Sequence, residues 1–226
     1  MKSVSVVIPA YNEEQYITET IEAVKQVQNV KQIIVVDDGS KDNTARLAVD
    51  GGAEVIRIEH NKGKGNALNL GCLQCNQDLI ALIDADLGAS AVELAKLIYP
   101  IANGTADMTI AIFPKVRKKS GFGLVKSLAN MGLRVYAGEK LMEPLSGQRV
   151  MNRQAFAEVF PFASGFGVEI TATLKALKKG FVVKEIETKM CHRATGRDIL
   201  GFKHRGKQFY HILMALFKIR LSRSKI

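Results

Sequence analysis

Three short runs of branched apolar residues, Val4–Ile8, Ile33–Val36 and Leu79–Ile83, constrain this chain more than any other feature. Each is too short to form a helix core. Each is set apart from the next by a stretch with helical spacing, which is how strands buried on both faces of a parallel sheet read. The second run ends in Asp37-Asp38-Gly39-Ser40 and the third in Asp84-Ala85-Asp86. In open α/β sheets, ligands occupy the crevice outside the carboxyl ends of the strands. Acidic pairs at two such ends therefore point to a site.

The alternation continues. Asn12 is predicted to cap a helix with Glu13 and Glu14 in its positive first turn and Ile17, Ile21 and Val24 on one face. Further helices are expected over Thr44–Val49, Gly65–Cys75 and Ala91–Ile101, and further strands over Glu54–Ile58 and Met108–Phe113. The second half is less regular. It reads as a basic loop at Lys115–Lys119, a helix at Val125–Ala137, and a loop entering a strand over Leu145–Met151. A helix at Gly167–Lys178 and a strand at Phe181–Glu187 follow. The fold class expected is α/β, a mostly parallel sheet with helices on both faces. At 226 residues the chain suits one domain, 1–198, followed by a basic amphipathic helix within 199–226.

An apolar content of 47 % excludes a disordered chain, and the formal charge of +10 favours phosphates, nucleotides or an acidic membrane face as partners. Nucleic acid is not expected, because no basic-aromatic interleaving or binding module accompanies the charge. Three cysteines cannot all pair within the chain, which favours a reduced, cytoplasmic setting. The opening apolar run stops at Pro9, too early for a signal-peptide core. No apolar run approaches the roughly 20 residues that span a bilayer.

Asp84 and Asp86 at a strand end suit a divalent cation that neutralises a diphosphate; Mg2+ and Mn2+ favour such oxygen ligands. The plain alternative is a solvated acidic turn. Asp38 suits a base or ribose, whereas Ser40 can equally cap the next helix. Asn61-Lys62-Gly63-Lys64-Gly65-Asn66 offers a helix start to anions but lacks the spacing of a Walker loop. Cys72 and Cys75 form a lone C-x-x-C inside a helix, read as two ordinary small residues. His192 by its spacing alone is a surface histidine.

Together, Val6-Val7-Ile8-Pro9-Ala10-Tyr11-Asn12-Glu13-Glu14, Val35-Val36-Asp37-Asp38-Gly39-Ser40 and Asp84-Ala85-Asp86-Leu87 resemble the family 2 glycosyltransferases of GT-A fold. Within that group, Gly63-Lys64-Gly65, Leu145-Ser146-Gly147, Gly165-Phe166-Gly167-Val168-Glu169-Ile170 and His192-Arg193 are similar to the glucosyl-3-phosphoglycerate synthases. The resemblance implies a metal-dependent transferase using a nucleotide sugar, UDP-glucose first, on a small phosphorylated or carboxylated acceptor. It implies Pro9, Ala10, Tyr11, Glu13 and Asp38 on the nucleoside side, with Ser40 and Lys64 at the uracil end. Asp84 and Ala85 would lie beside the donor sugar, with Asp84 and Glu169 at the reacting centre. Asp86 and His192 would hold Mg2+ or Mn2+. Gly123, Leu124, Val125, Lys126, Leu145, Ser146, Gly147 and Arg193 would meet the acceptor.

Departures from the family pattern gather on the acceptor side. Leu124 stands where the synthases carry a phosphate-binding arginine, and Lys126 or the Lys115–Lys119 cluster is the candidate substitute. Ala194 stands where they carry asparagine. Gly88 replaces the glutamine of the family's other metal motif. Lys203, Arg205, Lys207, Lys218, Arg220, Arg223 and Lys225 flank an apolar stripe at Phe209, Ile212, Leu213 and Leu216. A helix packing on the domain or on a second copy is the first expectation for this tail, and an interfacial helix on the inner membrane face the alternative. Rival activities are a polyprenyl-phosphate glycosyltransferase, a nucleotidyltransferase and a non-catalytic nucleotide-sugar sensor.

Overall fold

The computed structural model describes residues 2–114, 123–163 and 167–192. Arg193, the loop at 115–119 and the tail after 198 lie outside the described residues, as does the boundary expected at 198.

Strands β1 (Val4–Ala10), β2 (Val30–Asp37), β3 (Glu54–Arg57), β4 (Leu79–Leu82), β5 (Met108–Ile112), β6 (Arg149–Asn152) and β7 (Val183–Glu187) form one sheet. Its order is β3-β2-β1-β4-β6-β5-β7. Every pairing is parallel except those of β6, which runs against both β4 and β5. The crossovers are helices α1 (Ile17–Lys25), α2 (Thr44–Asp50), α3 (Lys64–Cys72) and α4 (Leu94–Ala102). Helices α5 (Gly123–Ala137), α6 (Arg153–Val159) and α7 (Val168–Lys178) belong to the second half. Among the described residues, no helix is long and apolar enough to cross a membrane.

Strand periodicity divides the core between the two faces. Val4, Val6 and Ile8 pack with Ile17, Ile21 and Val24 of α1 and with Leu94, Leu97 and Ile101 of α4. Val7, Ile34 and Val36 face the other way, towards Ala67 and Leu68 of α3 and Val168, Ala172 and Ala176 of α7. Helix α3 comes unusually near the sheet. A Cβ at Gly71 would lie 2.5 Å from Val7 and 2.8 Å from Val36, so only glycine permits this approach. Leu128 and Leu133 of α5 pack on Ile170 and Leu174 of α7 as a smaller third cluster.

Two expectations fail locally. Asn12 does not cap α1, which begins five residues later without a side-chain cap. Asn12 instead takes φ 55°, a left-handed conformation that Asn tolerates, and its Oδ1 accepts the Lys41 amide at 2.9 Å. Nor does Ser40 cap α2, which starts after Asn43; its hydroxyl accepts the Asn12 amide at 2.9 Å. The two loops beyond β1 and β2 thus cap each other.

Candidate active site

Because β2 lies on one side of β1 and β4 on the other, the chain reverses direction across the sheet at β1, and a crevice opens beyond the carboxyl ends. The turn after β4 that carries Asp84 and Asp86 is stapled to α1. The Thr20 hydroxyl donates to the Ala85 carbonyl at 2.8 Å and accepts the Gly88 amide at 2.9 Å.

Asp84 is the centre of a charged cluster. Its Oδ1 lies 2.6 Å from Lys64 Nζ, which also reaches Glu169 Oε1 at 3.4 Å from the first turn of α7. Gln148 Nε2 donates to Asp84 Oδ2 at 2.8 Å, and the Asp84 amide donates to Gln148 Oε1 at 3.1 Å. Burial alone would raise the Asp84 pKa. The Lys64 ammonium, then His192 and Gln148, reverse that and hold it at about 2. Burial likewise opposes the charge on Lys64, but Asp84 and Glu169 outweigh it and push its pKa up.

His192 completes the group. Its Nδ1 lies 2.9 Å from Asp86 Oδ1, and its ring stacks on Phe113 with centroids 4.5 Å apart. Burial pulls its pKa down, but the hydrogen bond to Asp86 and the charges of Asp84 and Asp86 leave it raised. One donor atom each from Asp84, Asp86 and His192 lie within 4.8 Å of one another. Adjacent ligands of an octahedral ion at about 2.1 Å are about 3 Å apart. The Asp86–His192 spacing meets that requirement; the two carboxylates suit Mg2+ or Mn2+, and the imidazole favours the transition ion Mn2+ of the two.

The family model described as glycosyl transferase family 2 matches residues 5–160. The chain belongs to that family. A glucosyl-3-phosphoglycerate synthase of Mycolicibacterium smegmatis is 31 % identical over 189 residues, covering 75 % of this chain and 62 % of the relative. An undecaprenyl-phosphate 4-deoxy-4-formamido-L-arabinose transferase of Pseudomonas fluorescens is 38 % identical over 111 residues, 45 % of this chain and 33 % of the relative. This chain therefore spans less than two thirds of either relative. The crystal structure of glucosyl-3-phosphoglycerate synthase from Mycobacterium tuberculosis with Mn2+, UDP and phosphoglyceric acid superposes with a TM-score of 0.78. It is 26 % identical, and the match covers 95 % of this chain and 78 % of that one. The chain is thus a glycosyltransferase of GT-A fold, as its motifs imply.

In this glycosyltransferase the expected nucleoside residues share one corner. Pro9 and Ala10 close β1, and the Ala10 carbonyl accepts the Asp38 amide at 2.8 Å. Tyr11 is exposed beyond them, and the Glu13 amide donates to Thr44 Oγ1 at 2.8 Å. Asp38 uses one carboxylate oxygen on the Lys62 amide at 2.8 Å and the other on the Gly63 amide at 2.7 Å, which fixes the loop leading into α3. Lys64 starts at this corner, and its ammonium reaches Asp84 at 2.6 Å and Glu169 at 3.4 Å.

The expected acceptor residues are split. Residues 142–148 form a strap held from several sides. Glu185 accepts the Met142 and Glu143 amides, each at 2.6 Å. Arg149, almost wholly buried, donates to the carbonyls of Ser146 at 2.8 Å and Pro144 at 3.1 Å and to Thr173 Oγ1 at 2.7 Å. The strap presses Gly147 on the charged cluster: a Cβ there would lie 2.5 Å from Lys64 Nζ and 3.2 Å from Asp84 Oδ2. Leu145 packs beside the α5–α7 cluster, and Ser146 is buried next to Gly147. Gly123, Leu124 and Val125 open α5, while Lys126 pairs with Glu143 at 2.8 Å instead of standing free for a phosphate.

Four contributors escape the sequence reading: Thr20, Phe113, Gln148 and Arg149. The last two carried a usable signal, since two long polar side chains at the head of an apolar strand must find partners if that strand is buried.

Proposed function

We propose that this glycosyltransferase moves a hexose from a UDP-sugar, UDP-glucose first, to a small phosphorylated or carboxylated acceptor such as a phosphoglycerate. The observation that carries the reading is the convergence of Asp84, Asp86 and His192 next to the Lys64–Asp84–Glu169 chain at the carboxyl edge. The superposition on a synthase crystallised with Mn2+, UDP and phosphoglyceric acid supports it.

Breaking the anomeric C–O bond leaves positive charge on the sugar and negative charge on the diphosphate. Asp86 and His192 would hold Mg2+ or Mn2+, which neutralises that leaving group. The corner at Pro9, Ala10, Tyr11, Glu13, Asp38 and Ser40 binds the nucleoside, and Ala85 borders the sugar. Asp84 and Glu169, both paired with Lys64, face the developing positive charge. The strap at Leu145, Ser146 and Gly147 and the start of α5 from Gly123 to Lys126, with Arg193, bring the acceptor to the sugar, so positioning supplies much of the rate. Similarity to the synthases favours retention at the anomeric carbon.

A screen for UDP release across UDP- and GDP-sugars with Mg2+ or Mn2+, including 3-phosphoglycerate among the acceptors, tests this. Release only from GDP-sugars, or none without a lipid, refutes it. The match to an undecaprenyl-phosphate transferase favours a second reading, a polyprenyl-phosphate acceptor. Lipid-linked product, with anionic vesicles bound by the full chain but not after deletion of Ile199–Ile226, establishes that one.

A further inference from the structure

His192 stands 106 residues beyond Asp86 in the chain and outside the sheet. Strand β7 ends at Glu187, opposite Ile112 of β5, and the Thr188 amide and hydroxyl both donate to the Ile112 carbonyl at 3.0 Å. The arm 189–192 continues past the end of that ladder. It is held by a short 3-10 helix, Gly88–Glu93, which begins two residues after Asp86 and leads into α4. Glu93 Oε2 accepts the Lys189 amide at 2.8 Å, and Ser90 Oγ accepts the Cys191 amide at 3.1 Å. Between these two bonds the Met190 side chain is fully buried in the core under α1 and α4.

Ser90 does more than accept. A hydroxyl has one proton, and the Leu87 carbonyl at 2.6 Å takes it; the Cys191 carbonyl at 3.4 Å is too distant to compete. The oxygen's lone pairs then receive the Cys191 N–H. One oxygen atom thus joins the residue after Asp86 to the residue before His192. The turn that carries Asp86 is itself fixed to α1 through Thr20, so Ser90 and Glu93 pass that placement on to the imidazole across the crevice. Phe113 stacks on the ring and confines its rotation, whereas these two side chains fix where the ring is mounted.

We propose that Ser90 and Glu93 are positioning residues that bolt the arm bearing His192 to the turn bearing Asp86, and so set the two sides of the cation site before an ion arrives. The consequence for the cation rests on the metal reading given above; the bolt does not. A ligand already mounted in place needs little ordering when the ion binds, whereas a loose arm must be ordered at a cost in affinity. Both residues act through backbone amides, Ser90 on the residue next to His192 and Glu93 on the residue three before it.

The test uses the full chain. In metal-free protein, amide hydrogen exchange followed by NMR should show Cys191 exchanging about fivefold faster in Ser90→Ala, the worth of one net hydrogen bond, and Lys189 likewise in Glu93→Ala. Mn2+ alone, without nucleotide, followed by electron paramagnetic resonance, should bind Ser90→Ala about fivefold more weakly than wild type. Ser90→Thr and Glu93→Gln keep an acceptor oxygen at each place and should restore both readouts. Unchanged exchange at Cys191 in Ser90→Ala overturns the proposal. So does a Ser90→Thr variant that binds Mn2+ as weakly as Ser90→Ala, since the loss would then not lie in the hydroxyl. Where His192→Asn weakens Mn2+ binding, an unchanged affinity in Ser90→Ala shows that the bolt does not set the site, and overturns the proposal too. If His192→Asn binds Mn2+ as tightly as wild type, the metal reading falls and the consequence for the cation with it, while the exchange of metal-free protein still decides the bolt.

Discussion

Lys64→Met tests the electrostatic logic of the site without any substrate. Lys64 is the one ammonium, among the described residues, paired with both Asp84 and Glu169. Burial alone would raise the Asp84 pKa; the Lys64 ammonium opposes this more strongly than any other neighbour, and the net result is about 2 against an ordinary 3.8. A depression of that size corresponds to about 2.5 kcal/mol at full strength. His192 and Gln148 share in it, and a third of the Lys64 side chain and a quarter of Asp84 remain exposed. The loss expected at neutral pH is therefore about 1–2 kcal/mol. Because the folded pKa is the lower one, this stability is present above the unfolded value and disappears as the pH falls through the folded value. Urea unfolding of metal-free protein should show the variant weaker at neutral pH, with the gap to wild type closing from about pH 4 to about pH 2. Equal stability at neutral pH, or a gap that widens on acidification, refutes the reasoning.

Asp86→Ala should abolish metal-dependent UDP release while changing unfolding stability by less than about 1 kcal/mol, since the side chain is partly exposed and hydrogen-bonds to His192 at the surface; retained turnover removes Asp86 from the metal site. Gly147→Ala puts a methyl 2.5 Å from Lys64 Nζ and 3.2 Å from Asp84 Oδ2. We expect kcat/KM to fall about tenfold, a loss of roughly 1.4 kcal/mol in the transition state, with a loss of folding stability no larger than the about 1–2 kcal/mol expected for Lys64→Met. Arg149→Met leaves the carbonyls of Pro144 and Ser146 without their buried donor and removes a guanidinium that interacts electrostatically with Glu169 and Glu185. It should cost about 3–5 kcal/mol in urea unfolding, and a loss under about 1 kcal/mol would show the strap to be held by other contacts.

What the sequence revealed follows from which interactions are periodic. The strands at Val4, Ile33 and Leu79 and the apolar stripes of α1 and α4 repeat at fixed spacing, and the observed elements start or end within a few residues of the expected ones. Asp37 and Asp84 are legible because a parallel sheet gathers its carboxyl ends on one edge. The antiparallel course of β6 left no periodic trace; Val150 and Met151 read the same in either direction. Helix α6 is a single short segment, and Asn152 caps it by accepting the Ala155 amide at 2.8 Å, a signal too brief to separate from a loop. The Asn12 loop defeated local reasoning because its cap partner is Lys41, across the edge of the sheet. His192 drew its candidacy from family resemblance, since its partners Asp86 and Phe113 are remote in sequence.

The two halves of the site are anchored by different physics, and that bears on how such an enzyme changes its substrates. The Asp84–Asp86 turn hangs from a strand paired on both sides and is pinned to α1 through Thr20, so its placement depends on the sheet itself. The strap at 142–148 has no backbone ladder over most of its length. It depends on the side chains of Glu185 from β7 and Arg149 from the head of β6, and on its own last residue, Gln148, whose side chain holds Asp84. Substitutions within the strap that keep these three anchors should alter what is brought to the sugar and leave cation and nucleotide chemistry intact.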